Sequence, residues 1–326
     1  MDTTKKTFSK DLLRIDNIDV LCNKIAENLK ETVYHKLNRR GGVIGISGGI
    51  DSSVTLAVAA RALGADNILA VMMPDKDSSS DSELFARKLA DKFNVKSIVE
   101  NVTPALNGFD CYDRRDEAIS RVIPEYNPKT DKAKIVIKQK IEQDFPPIFS
   151  VTVVFPDGKE TSRILPLKEY LQIVAATNFK QRCRMSMLYY HAESLHYAVI
   201  GTPNKHEVEQ GFFVKYGDGG ADVMPIGKLY KTQVFQLAEY LGVPSEIINR
   251  TPTTDTYSAR QTQEEFFFQL PHETMDLVDF GWKNNYSPTD VARALNKEEN
   301  EIKNMYRNLE RKAKTTDYLR MQPIFF

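Results

Sequence analysis

Residues 45–53 read GISGGIDSS, set between the apolar run Gly42-Val43-Ile44 and a second apolar run that begins at Val54. A short buried strand that passes through a glycine- and serine-rich turn straight into a helix leaves few folds open. It belongs in a parallel sheet whose strand ends carry a ligand. Gly48 and Gly49 let the backbone turn tightly and approach that ligand. Ser47, Ser52 and Ser53 offer hydroxyls, and the free N–H groups of the helix start favour an anion. The spacing excludes a Walker A loop, because no Gly-Lys-Ser/Thr follows, and it excludes the G-x-G-x-x-G fingerprint. Asp51 would repel a phosphate. Either it caps the helix, or it holds a Mg²⁺ ion that bridges carboxylate and phosphate oxygens. The local pattern leaves both open.

The same alternation continues along the N-terminal part. Residues 17–37 have helical spacing of apolar side chains. NILAVMMP (67–74) reads as a buried strand, DSELFARKLADKFNV (81–95) as an amphipathic helix, and 96–101 as a third strand. This predicts a doubly wound α/β fold, a parallel sheet with helices on both faces. The loop 45–53 and the polar stretch DKDSSSDSE (75–83) then lie beyond the carboxyl ends of the strands. From about 108 to 165 the rhythm breaks. DKAKIVIKQKIEQDF (131–145) reads as a charged helix, and 149–165 as a hairpin turning at Asp157-Gly158. We read 108–165 as a small inserted arm or subdomain within one domain spanning 1–326. Regular organisation returns with a helix over 178–195 and the strand YAVIGT (197–202).

Bulk charge narrows the partners. The 44 basic and 44 acidic side chains cancel, so no net field draws the molecule to nucleic acid or a membrane surface. The first residues lack the apolar core of a secretory signal, and no run is long enough to span a bilayer. The three cysteines, Cys22, Cys111 and Cys183, form neither a disulfide framework nor a metal motif, which suits a reducing cytoplasm. No Ser-His-Asp or Cys-His set stands out.

The string S-G-G-x-D-S resembles the pyrophosphate-binding loop of the ATP-pyrophosphatase enzymes, among them NAD, GMP and asparagine synthetases and tRNA thiolases. The segment TPNKHEVEQGFFVKYGDGGADVMPIGKLYKTQV (202–234), with NFKQRCRM (178–185), is similar to the ammonia-dependent NAD synthetases in particular. The resemblance implies an adenine nucleotide α-hydrolase-like fold and a ligase that uses ATP to adenylate a carboxylate before ammonia forms the amide. It places Gly45, Ile46, Ser47, Gly48, Gly49, Asp51 and Ser52 around the ATP phosphates, with Thr202, Lys231 and Thr253 as further ATP contacts. Asp51 and Glu207 would hold Mg²⁺ and, with Lys231, form the catalytic group. Arg182, Lys215 and Asp222 match positions that hold the acid substrate, deamido-NAD, whose reacting group is a nicotinate carboxylate. It further implies a homodimer built on the helix that contains NFKQRCRMSMLYYHA, and free ammonia as nitrogen donor, since no glutaminase domain accompanies the synthetase.

By position alone, Lys231 reads as a solvated lysine at a helix start and GDGGAD as a turn. Arg182 and Arg184, two apart on a helix, point to different faces. His191, His196, His206, Tyr189 and Tyr190 read as packing or surface residues. One departure stands near the C-terminus, in TDYLRMQP (316–323). Tyr318 and Leu319 occupy the places of the family's His-Lys pair, while Arg320 and Pro323 remain. Tyr318 could stack on the pyridine ring. The acid therefore stays open between deamido-NAD and another carboxylic acid, and a nucleotide-binding regulator without turnover is the third reading.

Overall fold

The computed structural model describes residues 6–137, 148–251, 253, 257–259, 261–262 and 269–326. In chain order the first elements are α1 (Ile18–Glu31), β1 (Gly42–Gly45), α2 (Ile50–Leu63), β2 (Ile68–Met72), α3 (Ser80–Lys92) and β3 (Lys96–Val99). Next come α4 (Thr103–Gly108), α5 (Cys111–Val122), β4 (Lys132–Ile137), β5 (Phe149–Val154), β6 (Glu160–Ile164) and α6 (Leu167–Leu195). The chain then forms β7 (Ala198–Ile200), α7 (Lys205–Gln210), α8 (Lys231–Leu241) and α9 (Ser245–Ile248). It closes with α10 (His272–Lys283), α11 (Pro288–Leu295), α12 (Glu299–Thr315) and α13 (Asp317–Arg320).

Four strands form a parallel sheet in the order β3-β2-β1-β7. Side chains alternate across it, as a strand's period of two requires. Ile44, Ala70, Met72 and Ile200 face a core with α1, α2 and α8. Val43, Leu69, Val71 and Val199 face Met185, Leu188 and Ala192 of α6. α2 is apolar nearly all round, with Val54, Leu56 and Val58 fully buried, because helices cover it on the side away from the sheet. β1 lies between β2, which precedes the long excursion, and β7, which follows it. A doubly wound sheet opens its ligand crevice at such a point. Among the described residues no helix is long and apolar enough to cross a membrane.

The segment between β3 and α6 holds a second, antiparallel sheet in the order β4-β5-β6. The hairpin turns at Asp157-Gly158 with Gly158 at φ +83, as its sequence predicts. The charged helix expected over 131–145 is not there. Residues 132–137 are strand β4, and the rest of that stretch, 138–145, lies outside the described residues. The reason is period: Ala133 and Ile135 are buried while Lys132 is exposed, so the lysines mark a strand's outer face. α6 starts eleven residues earlier than the spacing of 178–195 suggests. Ala118, Ile119 and Ile123 of α5 pack with Ile135, Val151, Val153 and Ile173 in a separate core under this sheet.

Candidate active site

Beyond Gly45 the chain leaves the sheet with Ile46 N still donating to Val71 O at 3.0 Å. It then turns through Gly48 at φ +70. A Cβ at Gly48 would meet Phe85 Cβ and Ser82 O at 2.7 Å, so a side chain there would push the loop off α3. Gly49 is the residue before α2 and makes no side-chain cap. Ser52 and Ser53 donate from Oγ to Gly49 O at 3.0 and 2.8 Å and hold the turn closed. Ser53 is fully buried and serves the loop itself, whereas Ser47 and Ser52 line the cavity above it.

Asp51 is not a helix cap. One carboxylate oxygen receives Asn204 Nδ2 at 3.0 Å, and the other is paired with Lys231 Nζ. Lys231 opens α8, and only 4% of it is exposed, so the solvated-lysine reading fails. Glu207 stands in the first turn of α7 in a capping box. Asn204 Oδ1 accepts from Glu207 N at 3.2 Å, and Glu207 Oε2 accepts from Asn204 N at 2.9 Å. Burial, reinforced by the neighbouring Asp51 charge, pushes the Glu207 carboxyl up to about 8. Burial works against the Lys231 ammonium, but Asp51 and Glu207 hold it above the ordinary lysine value. Two carboxylates thus share one ammonium.

Two supports behind this trio were not legible in the sequence. Asp276 of α10 lies 2.6 Å through Oδ1 from His206 Nε2, and through Oδ2 accepts from Thr232 N at 2.7 Å. One fully buried carboxylate therefore ties the helix of Glu207 to the helix of Lys231. His206 is a packing residue in this sense. Asn204, next to the motif glutamate, bridges to Asp51.

The loop opens into a cavity of about 800 Å³. Gly45, Ile46, Ser47, Ser52, Thr202 and Glu207 form one part of its wall, and Ser78, Ser79 and Ser82 of the polar 75–83 stretch another. Arg182, Lys215, Tyr318 and Thr253 also line it. Gly48, Gly49, Asp51, Lys231 and Asp222 are not part of the wall. Asp222 is pinned to the end of β7, accepting from Val199 N at 2.8 Å and Tyr189 OH at 2.9 Å. The other aspartate of GDGGAD, Asp218, is in the wall instead, where burial pushes it up to about 6. The repeated Asp in that string carried the signal, but its spacing alone did not say which one turns inward.

Arg182, Lys215 and Tyr318 meet: Arg182 Nε donates to Lys215 O at 3.1 Å, and Lys215 Nζ donates to Tyr318 O at 3.0 Å and Met321 O at 2.9 Å. Arg184 also reaches the wall, held by Met73 O at 2.9 Å and Asp75 at 2.8 Å, so both arginines face the cavity. Behind Arg184 lies a second charge cluster. Lys180 pairs with Asp75 and Asp77, and Arg115 pairs with Asp77 and Asp116. Burial would raise the Asp77 carboxyl, yet Lys180 and Arg115 together hold it below the ordinary carboxylate value.

The family model for NAD synthase matches residues 21–123 and 121–323. The NH(3)-dependent NAD(+) synthetase of Rhizobium meliloti (strain 1021) is 47% identical over 322 residues, covering 99% of this chain and 96% of that protein. The protein of the same description from Mesorhizobium japonicum is 46% identical over 303 residues, covering 93% and 94%. Among solved structures, NMN synthetase from Francisella tularensis superposes with a TM-score of 0.64 at 20% identity, over 95% of this chain and 99% of that one. The NH3-dependent NAD synthetase from Campylobacter jejuni gives 0.62 at 20% identity, over 96% and 100%. These two likenesses bear on the fold.

Proposed function

The chain belongs to the NAD synthase family, and we propose that Asp51, Glu207 and Lys231 are the group through which it handles ATP. It is an ATP-dependent amide ligase. The carboxylate of deamido-NAD attacks the α-phosphorus of ATP, giving an acyl-adenylate and pyrophosphate. Ammonia then attacks the acyl carbon and releases AMP and NAD. Atoms balance without a protein nucleophile, so the chain's own work is positioning and charge stabilisation.

In this reading the leaving pyrophosphate lies on the turn of Gly48 and Gly49, with hydroxyls from Ser47 and Ser52 and the N–H groups that open α2. Lys231 is held charged beside it, and Thr202 and Thr253 complete the ATP wall. The observation that carries the assignment is the convergence of Glu207 and Lys231 on Asp51, each more than 150 residues further along the chain: Asp51 pairs with Lys231 and accepts from Asn204, whose N–H Glu207 caps.

Magnesium fits here. Asp51 and Glu207 bring two carboxylates to Lys231, and burial together with the neighbouring Asp51 charge pushes the Glu207 carboxyl up. Mg²⁺ is satisfied by one or two carboxylates when phosphates and water supply the rest. Asp51 and Glu207 would hold it, and it would neutralise phosphoryl charge. Arg182, Lys215 and Tyr318 form the candidate contact for the acid substrate. For Asp222 the support is weaker, since one oxygen is engaged by Val199 of β7 and the other by Tyr189 of α6.

A homodimer through α6 is supported by the side chains that helix leaves exposed, Leu167, Leu171, Tyr190 and Leu195. The free thiols Cys22, Cys111 and Cys183 suit a cytoplasmic setting. AMP release from ATP, deamido-NAD and ammonia, measured beside a panel of other acids and with glutamine in place of ammonia, tests the reaction. Turnover of another acid in preference to deamido-NAD would overturn the substrate. A monomer by light scattering at full activity would overturn the dimer.

A further inference from the structure

Lys231 is the first residue of α8, and both of its chain neighbours are gripped by one face of α10. On one side Tyr230 OH donates to Asp279 Oδ2 at 2.9 Å. On the other Thr232 N donates to Asp276 Oδ2 at 2.7 Å. The two carboxylates are about one helical turn apart, so they face the same way, and neither is exposed. The same face reaches α7. Asp276 Oδ1 lies 2.6 Å from His206 Nε2, and the Gln210 amide donates to His206 Nδ1 at 3.0 Å, so Nε2 carries the proton that Asp276 accepts. The His206 ring meets the Tyr230 ring edge to face, with centroids 5.3 Å apart. Lys283, a turn beyond Asp279, pairs with Asp279 at 2.9 Å and with Glu209 of α7. Glu207 and Lys231 thus each stand beside residues that one helix holds.

We propose that Asp276 and Asp279 are positioning residues for the adenylation step, fixing the first turn of α8 so that Lys231 Nζ stays on Asp51. The proposal rests on the reading above, in which Lys231 stabilises the charge of the leaving pyrophosphate. Stability alone is a poor reason for the arrangement. Burying two carboxylates costs solvation that apolar side chains of similar size would not lose. Asp279 Oδ1 and Thr232 Oγ1 are also buried with no hydrogen-bond partner among the described residues, a further cost. Met275, Leu277 and Val278 already anchor α10 in the core of the C-terminal helices. What the carboxylates add is direction. Apolar contact is non-directional and lets a helix slide or roll. Two hydrogen bonds, one to a backbone N–H and one from a phenol, on either side of Lys231 do not. An ammonium on a long, flexible stem goes where its helix starts, and a shift of about 1 Å is enough to cost a hundredfold in rate.

Since both carboxylates act through Lys231, a double-mutant cycle on AMP formation tests them. Asp276→Ala is expected to lower kcat about tenfold to a hundredfold with the ATP KM little changed. In a Lys231→Met background the same change is expected to lower the residual rate no further. A tie that only holds the fold together would cost the same factor in both backgrounds. That result, or a kcat equal to wild type, overturns the proposal. Asp276→Asn keeps an oxygen for Thr232 N and is expected to bring kcat back to within about threefold of wild type. A loss as deep as that of the alanine variant would also overturn it. Should Asp276→Ala fail to fold, Tyr230→Phe keeps the ring and loses only the bond to Asp279. Its expected loss of about threefold should vanish beside Lys231→Met, and a loss that persists there counts against the proposal. AMP is read with whichever acid turns over, so a wrong acid refutes the substrate and leaves the cycle standing. Without any turnover, a crystal structure of the Asp276→Ala protein still decides: Lys231 Nζ displaced from Asp51 is expected, and an unmoved ammonium overturns the positioning role.

Discussion

Two charge clusters sit at the carboxyl edge of the same sheet, and they are built on opposite principles. Beyond β2, Asp75, Asp77 and Asp116 face Lys180, Arg184 and Arg115, and every carboxylate has a cation at bonding distance. Beyond β1, Asp51 and Glu207 share Lys231. The first cluster pulls the Asp77 carboxyl down, while the second drives Glu207 up to about 8. Burial raises both carboxyls; at Asp77 Lys180 and Arg115 outweigh it, while at Glu207 the Asp51 charge adds to it. A balanced cluster is a structural tie. One that borders the cavity through Glu207 can meet a cation that arrives with substrate.

The widest separation between the two should come from neutralising each in turn. Asp51→Asn and Glu207→Gln are expected to lower AMP formation about a thousandfold or more, with circular dichroism unchanged. Near-normal turnover at limiting Mg²⁺ would make that carboxylate a structural one and erase the contrast. In the balanced cluster the loss should fall on stability instead. Lys180→Met takes a cation from Asp75 and Asp77 and is expected to cost about 3 kcal/mol in urea unfolding. An unchanged midpoint would show that Arg115 and Arg184 alone satisfy both carboxylates.

Acid separates them more gently. Because the Asp77 carboxyl is lowered in the folded state, its contribution is present above the ordinary carboxylate value and is lost as pH falls through the depressed one. Below about pH 4, Asp77→Asn should therefore lose less further stability than wild type, read as a flatter plot of melting temperature against pH. Parallel plots would remove Asp77 from the acid response. The smallest effect is expected from adding a charge at the cavity wall: Leu319→Lys should tighten deamido-NAD by a few-fold. No change in its KM would mean that Arg182 and Lys215 already supply what the family's lysine gives.

What could be read without coordinates was what is local. The GISGGIDSS turn, the parallel strands and the hairpin at Asp157-Gly158 follow from neighbours in sequence. Glu207 and Lys231 came from the order of motifs, which stands in for distance. The balanced cluster escaped because Asp75 and Asp77 meet Lys180 and Arg184 only after about a hundred residues of intervening chain. β4 is a strand where a charged helix is expected, since alternating lysines suit an exposed helix as well as an exposed strand face. Asp222 and Asp218 were interchangeable on paper, and only the pairing of Asp222 with Val199 N told them apart.

Asp276 belongs to neither cluster, yet it sets the separation between Glu207 and Lys231, since the same carboxylate reaches His206 on one side and Thr232 N on the other. The gauge for the catalytic gap is thus kept on α10, in the C-terminal helices, whose core of Met275, Val278, Ile302 and Met305 is distinct from the one beneath the sheet. Loosening those helices would spread the gap while every strand stayed paired. On heating, this chain would then stop working before it stopped being folded, and its thermal tolerance as a catalyst would be written in the C-terminal helices rather than in the sheet.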